Sequence, residues 1–164
     1  MSTQRYHVIF VCLGNICRSP AAENIFRHHV QQAGLDDMIR IDSAGTHDYH
    51  PGKAPDKRMS KTLNDRNIKS AGSARQFTSQ DMCDFDLIVT MDKENYANVI
   101  RLAKSPELED KIMMFTRFCQ QPAHQIPEVP DPYYGGDEGF ELVADMLEDG
   151  SRQLLEHIRQ RMAQ

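Results

Sequence analysis

Long hydrophobic runs are absent from this sequence: none approaches the ~20 apolar residues that span a bilayer, so we expect no membrane-spanning helix. An excess of positive charge is also absent, because 19 Lys and Arg residues stand against 24 Asp and Glu residues and give a net charge of −5. A broad nucleic-acid-binding surface normally carries a basic patch. The composition therefore argues against nucleic-acid and membrane partners, and any anion must be bound by a local site.

Cysteines are few, and nothing marks them as disulfide-bonded. The chain has four, and its first residues, 1–6, lack the apolar segment of a secretory signal peptide. Four cysteines in that context are better interpreted as free thiols in a reducing compartment, so we expect a cytoplasmic protein. The seven histidines, including adjacent His28 and His29, show no ligand spacing with acidic or cysteine residues, and we expect no metal site.

The chain does contain enough apolar sequence for a substantial core. Its 164 residues are 40% hydrophobic and 26% charged, without internal repeats, and they predict one domain over residues 1–164. Short apolar runs predict four strands, over residues 7–12, 38–42, 85–91 and 111–115.

Helical patterns alternate with these runs. The first begins with Ser19 as N-cap and Pro20 at the first helical position and stops at Gly34. Others cover residues 55–67, 79–83 with Ser79 as cap, 92–103, and 137 onward, where Gly150 is a possible kink or break. This alternation predicts an α/β fold, a three-layer αβα arrangement with a four-stranded parallel sheet and flavodoxin-like or Rossmann-like topology.

One segment concentrates residues with chemical function. It lies between the first predicted strand and the first predicted helix and reads Cys12-Leu13-Gly14-Asn15-Ile16-Cys17-Arg18-Ser19. Backbone N–H groups at such a turn point toward a bound anion, and the helix dipole favours both a phosphate and a thiolate. Cys12 is the candidate nucleophile, Arg18 can hold two phosphoryl oxygens at once, and Ser19 can donate a hydrogen bond to the sulfur. The segment therefore predicts phosphoryl transfer to sulfur.

The remaining positions of this loop fit the same interpretation. Gly14 and Asn15 are residue types that accept positive φ, which the loop needs if consecutive N–H groups are to converge on one anion. Leu13 and Ile16 would pack the outer side of the loop. The alternative is an ordinary helix start with an inert, buried cysteine.

Asp131 is a second candidate, because Pro130 and Pro132 restrict the backbone on both sides of it and could present its carboxyl group at a defined position. A tyrosine leaving group has a pKa of ~10, so protonating its oxygen as the P–O bond breaks would lower the barrier. The same carboxylate could then activate water. The alternative is a turn aspartate in a proline-rich loop.

Together these segments resemble the low-molecular-weight protein tyrosine phosphatases, and more closely the bacterial stand-alone members. The family signature of Cys, five residues, Arg and Ser or Thr corresponds to residues 12–19, and the late acid segment corresponds to Asp131-Pro132-Tyr133-Tyr134. Residues 42–45, 54–56 and 91–92 add to the resemblance. It implies an enzyme that hydrolyses phosphotyrosine monoesters through a cysteinyl-phosphate intermediate without a cofactor.

The resemblance also implies roles for individual residues. Tyr49 and Tyr133 would wall the substrate cleft, and Cys17 could form a reversible disulfide with Cys12 or serve only in packing. Asn15, Ser19 and Ser43 would brace the phosphate loop, although Gly72 stands where many relatives have a histidine in that network. The catalytic set is then Cys12, Arg18 and Asp131, and the substrate-binding set is Leu13, Gly14, Asn15, Ile16, Cys17, Ser19, Tyr49 and Tyr133.

Three alternatives stay open. An arsenate reductase of the same fold would need redox-active cysteines after the third strand, where this chain has Thr90-Met91-Asp92. Related protein-arginine phosphatases tend to have a smaller polar residue in place of Ile16, and a phosphotyrosine-binding module would not need the complete set of catalytic residues. The expected partners are phosphotyrosine proteins, with a bacterial tyrosine kinase as one candidate, and inorganic phosphate is the expected product.

Overall fold

The computed structural model describes residues 5–164, so the expectation for the N-terminal segment lies in part outside the described residues. Its sheet has four parallel strands: β1 (Tyr6–Cys12), β2 (Ile39–Gly45), β3 (Leu87–Thr90) and β4 (Ile112–Met114). Their spatial order is β2-β1-β3-β4. Among residues 5–164, no helix has the length and apolar character needed to cross a bilayer.

Six helices connect and cover the strands: α1 (Arg18–Gln32), α2 (Lys57–Asp65), α3 (Ser79–Asp84), α4 (Lys93–Ile100), α5 (Pro106–Glu109) and α6 (Asp137–Met162). Two short 3₁₀ helices, Phe115–Phe118 and Pro122–His124, precede α6. The α/β class and the parallel sheet of four strands that the sequence predicts are confirmed.

Side chains alternate between two cores along β1. Val8 and Phe10 belong to one buried cluster, with residues of α1 and α6, while Ile9 and Val11 belong to a second, with residues of α3 and α4. The sheet is therefore covered on both faces. Chain order reverses beside β1, which lies between β2 and β3, and the carboxyl end of a strand at such a point is where α/β sheets form ligand sites.

Two predicted helix caps are wrong. Cys17, not Ser19, is the N-cap of α1 and makes no side-chain capping bond. The Ser19 hydroxyl instead accepts from Asn15 and lies beside Cys12 beneath the loop. Thr78, not Ser79, caps α3 through a capping box with Asp81. Both segments contain neighbouring residues able to cap, and the tertiary contacts decide which one does.

Gly150 does not break the last helix, since α6 runs unbroken from Asp137 to Met162. A Cβ atom at this position would overlap Cε1 of Phe115, which is fully buried. The glycine therefore allows an aromatic ring to approach the helix backbone. The sequence prediction missed α5 and the two 3₁₀ helices, which are three or four residues long and too short for a periodic pattern.

Candidate active site

The turn between β1 and α1 forms a loop in which several carbonyls are hydrogen-bonded while, among the described residues, consecutive amides are not. Within the described part of the chain, the N–H groups of residues 14–17 donate to no other protein group. The loop carbonyls of Cys12, Leu13 and Ile16 instead accept from the N–H groups of Thr46, His47 and Asp56, at 2.8, 3.0 and 2.7 Å. Free backbone donors at a helix N-terminus are the elements of an anion site.

A hydrogen-bond network lies beneath this loop. Asn15, at φ 57°, donates from Nδ2 to the hydroxyl oxygens of Ser19 (2.8 Å) and Ser43 (3.0 Å), and Ser43 donates to Oε1 of Glu23 (2.6 Å). The Ser19 hydroxyl lies 3.0 Å from Cys12 Sγ and 3.3 Å from the Ala44 carbonyl. Because both amide hydrogens of Asn15 are directed at hydroxyl oxygens, the single Ser19 proton is left for two acceptors, the Ala44 carbonyl and the nearer Cys12 sulfur.

The side-chain oxygen of Asn15 is bonded to the backbone of Arg75. Gly72, at φ 140°, contributes no side chain, and the Arg75 N–H donates to Asn15 Oδ1 at 3.1 Å. The Arg75 guanidinium is in turn held 2.9 Å from a carboxylate oxygen of Asp42 and 2.9 Å from one of Asp81. A main-chain donor therefore satisfies the second polar atom of the Asn15 amide.

Arg18 is almost fully buried, with 3% of its side chain exposed. Its Nη1 donates to Asp92 Oδ2 at 2.7 Å and to the Val129 carbonyl at 3.1 Å, while Nη2 lies 3.6 Å from Asp131 Oδ2. Burial by itself would lower the pKa of Arg18, but the Cys12 sulfur, the hydrogen bond to Asp92 and the nearby carboxylates outweigh it and raise the pKa above its usual value. The guanidinium is thus a fixed positive charge at the base of the site.

Asp92 is a site residue that no local sequence pattern predicts. Asp92 follows β3 closely and is the N-cap of α4, accepting from the Asn95 N–H at 2.7 Å. Its place beside the carboxyl end of a strand next to β1 was the signal available in the sequence.

Asp131 faces the loop across a cleft. About a third of its side chain (34%) is exposed, and its Oδ1 accepts from the Tyr133 N–H at 3.0 Å. Cys12, Arg18 and Asp131 all line the same cleft. The structure therefore brings together the three side chains that the sequence predicts as catalytic, although Asp131 is more than a hundred residues from Cys12 and Arg18.

The predicted substrate-binding residues fall into two groups. Leu13, Gly14, Ile16, Cys17, Tyr49 and Tyr133 line the cleft, together with His50 and Tyr134, which the sequence analysis did not place there. Tyr49 is 61% exposed and stacks on His47, with ring centroids 4.9 Å apart. Asn15, Ser19 and Ser43 are buried in the network below the loop rather than in the cleft wall.

The four cysteines are all free in the structure. Burial, and to a smaller extent the Asp56 carboxylate, raise the pKa of the Cys17 thiol, which makes it a poor nucleophile at neutral pH. Cys83 lies on α3 and Cys119 after the first 3₁₀ helix, and neither lines the cleft. No group of metal-ligating side chains is present in the region from residue 5 to residue 164.

Comparison with known proteins agrees with this geometry. A sequence profile of the low molecular weight phosphotyrosine protein phosphatases matches residues 7–164. The chain belongs to this family. A Synechocystis relative named for the same activity is 48% identical over 148 residues, covering 90% of this chain and 93% of that protein.

Solved structures of related proteins have a similar fold. A protein tyrosine phosphatase from Entamoeba histolytica superposes with a TM-score of 0.90 at 39% identity, covering 94% of this chain and 97% of that one. A Drosophila arginine phosphatase superposes with a TM-score of 0.83 at 31% identity, covering 92% and 96%. Family membership confirms the predicted protein tyrosine phosphatase, a hydrolase whose substrates are phosphoproteins, and does not favour the reductase or the binding module.

Proposed function

We propose that Cys12 attacks the phosphorus of a phosphotyrosine monoester while the dianion is held by the amides of the loop and by Arg18. The observation that carries this proposal is the set of unpartnered N–H groups beside the Cys12 sulfur, at the N-terminus of α1. Asp131, across the cleft, donates a proton to the phenolic oxygen as the P–O bond breaks. The products of this step are tyrosine and a phosphorylated Cys12.

In the second step, Asp131 as carboxylate removes a proton from a water molecule, which attacks the phosphocysteine. The bond from phosphorus to sulfur breaks, and inorganic phosphate leaves. The Ser19 hydroxyl, 3.0 Å from Sγ, stabilises the departing thiolate with its hydrogen bond. No cofactor takes part in either step.

The cleft walls support phosphotyrosine as the substrate. The aromatic rings of Tyr49 and Tyr133 line the cleft and can stack on a phenyl ring, a contact that phosphoserine cannot make. Phosphoarginine is the competing substrate, since an arginine phosphatase shares the fold, but the apolar Ile16 at the cleft favours the aromatic ring over a charged guanidinium. Phosphotyrosine and phosphoarginine peptides of the same sequence distinguish the two by kcat/KM.

The proposed chemistry also indicates a cellular compartment and a partner for the enzyme. The mechanism needs Cys12 as a reduced thiol, which fits a reducing compartment such as the cytoplasm. A bacterial tyrosine kinase is the partner whose phosphorylation this activity would oppose, and the similarity to bacterial relatives supports that assignment.

Trapping of the intermediate tests the mechanism. With para-nitrophenyl phosphate the leaving group needs little help, so the Asp131→Ala variant should form phosphocysteine and hydrolyse it slowly. Acid quenching and mass spectrometry should then find phosphate on Cys12, also in a control that carries Cys17→Ser. Cys12→Ser should bind phosphate without turnover; near-normal turnover by that variant, or phosphate on another residue, would overturn the proposal.

A further inference from the structure

Arg58 joins two loops beside the cleft, the loop that ends at Asp56 and the loop that contains Asp131 and Tyr133. On one side, its Nε and Nη2 donate to the two carboxylate oxygens of Asp56, at 3.2 and 3.1 Å. On the other, Nη2 donates to the Tyr133 carbonyl at 3.0 Å, and the guanidinium lies over the Tyr133 ring, 5.4 Å from its centroid. The forked, planar group of arginine makes both contacts at once.

Each of these partners connects to the reacting groups. The Asp56 N–H donates to the Ile16 carbonyl in the phosphate loop at 2.7 Å, and the Tyr133 N–H donates to Asp131 Oδ1 at 3.0 Å. Arg58 therefore lies between the loop that contains Cys12 and the residue that holds the Asp131 carboxyl group.

Few polar contacts join the Asp131 segment to the rest of the protein, although the buried Pro132 and the Tyr133 ring pack against the core. In the part of the chain that the structure describes, the bond from Arg58 to the Tyr133 carbonyl is the only hydrogen bond between residues 130–135 and another segment, and Arg18 Nη2 lies 3.6 Å from the Asp131 carboxylate. The Arg58 guanidinium also lies 4.6 Å from the ring centroid of Phe140, which is buried in the core near the start of α6. Arg58 is thus anchored by the core as well as by Asp56.

We propose that Arg58 is a positioning residue for acid catalysis: it sets the distance and angle between Asp131 and the phosphoryl group held over Cys12. This rests on the proposed role of Asp131. A misplaced acid costs most when the leaving group is a poor one, because only then is protonation of its oxygen needed in the transition state. Loss of Arg58 should therefore lower kcat/KM more for substrates with poor leaving groups than for substrates with good ones, as we expect for loss of Asp131.

The test compares phenyl phosphate, which has a poor leaving group, with para-nitrophenyl phosphate, which has a good one. Arg58→Met, which keeps the apolar stem, should lower kcat/KM for phenyl phosphate by about 10- to 100-fold and for para-nitrophenyl phosphate by less than about 3-fold. Arg66→Met is the matched control: Arg66, at the other end of α2, is ion-paired with Glu141, Asp145 and Glu148 and contacts neither loop. Arg66→Met should lower the unfolding temperature without changing the ratio of kcat/KM between the two substrates.

A double variant shows whether Arg58 acts through Asp131. In an Asp131→Asn background, Arg58→Met should cause no further loss on phenyl phosphate. Equal losses on the two substrates, or a full additional loss in that background, would overturn the proposal. If Asp131→Asn itself fails to discriminate between the substrates, the acid assignment fails instead, and the two failures are therefore distinguishable.

Arg58→Lys covers the case in which Arg58→Met does not fold. Lysine keeps the charge and can bond to Asp56 or to the Tyr133 carbonyl, but it has no planar fork to bond to both in the same geometry. We expect an intermediate loss with the same preference for the good leaving group. A folded Arg58→Lys enzyme without that preference would contradict the positioning role.

Discussion

Asn15 shows how one side chain can shape a binding loop. Its left-handed backbone turns the chain between β1 and α1, and its amide group bonds to two serines below and to the Arg75 backbone. The same side chain thus stabilises a backbone conformation that is unusual for a residue with a Cβ atom, and it leaves the Ser19 proton free for Cys12 and the Ala44 carbonyl. Glu23, by accepting from Ser43, fixes the direction of the whole network.

Asp92 gives a prediction at this scale. Asp92→Asn keeps the size of the side chain and its ability to cap α4, but it removes the negative charge opposite Arg18. We expect kcat/KM to fall by about 10-fold, because an Arg18 side chain that is less firmly held binds the phosphoryl oxygens less well. The inhibition constant of inorganic phosphate, measured in the same assay, should rise.

An exposed pair provides the control for that experiment. Asp65→Asn removes the partner of Lys61 on the surface of α2, far from the cleft, and should leave both constants unchanged. An Asp92→Asn enzyme with normal phosphate affinity would show that Val129 and the core hold Arg18 without help from the carboxylate.

At the scale of elements, α6 depends on the contact between Gly150 and Phe115. In Gly150→Ala the new methyl group would overlap the ring, so either the helix or the ring must move. We expect the free energy of unfolding to fall by about 1–3 kcal/mol in denaturant titrations, despite the better helix propensity of alanine.

The partner residue makes this prediction specific. If the clash is the cause, adding Phe115→Leu to Gly150→Ala should recover part of the loss, so the two changes should be strongly non-additive. Simple addition of the two single effects would mean that α6 tolerates the methyl group by another route.

The same scale shows what the sequence could predict. The four strands and the order of the long helices follow from apolar periodicity, and the Cys12 loop and Asp131 are recognisable because their neighbours are glycine, arginine or proline. Asp92, Arg58 and Arg75 have no such local pattern, since each acts on a residue 60 or more positions away. Their importance depends on tertiary contacts that no periodic pattern contains.

At the scale of the whole molecule, two histidines near the α1 and α6 layer link stability to pH. Burial lowers the pKa of His29, with a further contribution from Arg152, and the buried Nε2 of His29 has no hydrogen-bond partner within the described residues. Burial and the charges of Arg161 and Arg117 lower the pKa of His157 on α6. In both cases the unfolded chain binds a proton more readily than the folded protein does.

The sign of the effect follows from that difference. A histidine with a lowered pKa does not reduce the stability of the folded protein at pH values above the usual histidine pKa of ~6.5. As the pH falls below that value, it destabilises the folded state progressively. Asp149, whose pKa is lowered by bonds from His124 and from backbone N–H groups although burial alone would raise it, loses its contribution only in much more acidic solution. The two windows are therefore separate.

Unfolding in urea at pH 7.5 and pH 5.5 tests the histidine contribution. The wild-type protein should lose stability between these values, and a His29→Gln/His157→Gln variant should lose measurably less. Comparing the change with pH, rather than the absolute stability, removes any packing loss caused by the substitutions. If the double variant lost as much stability as the wild type on acidification, the proton uptake would have to occur elsewhere in the molecule.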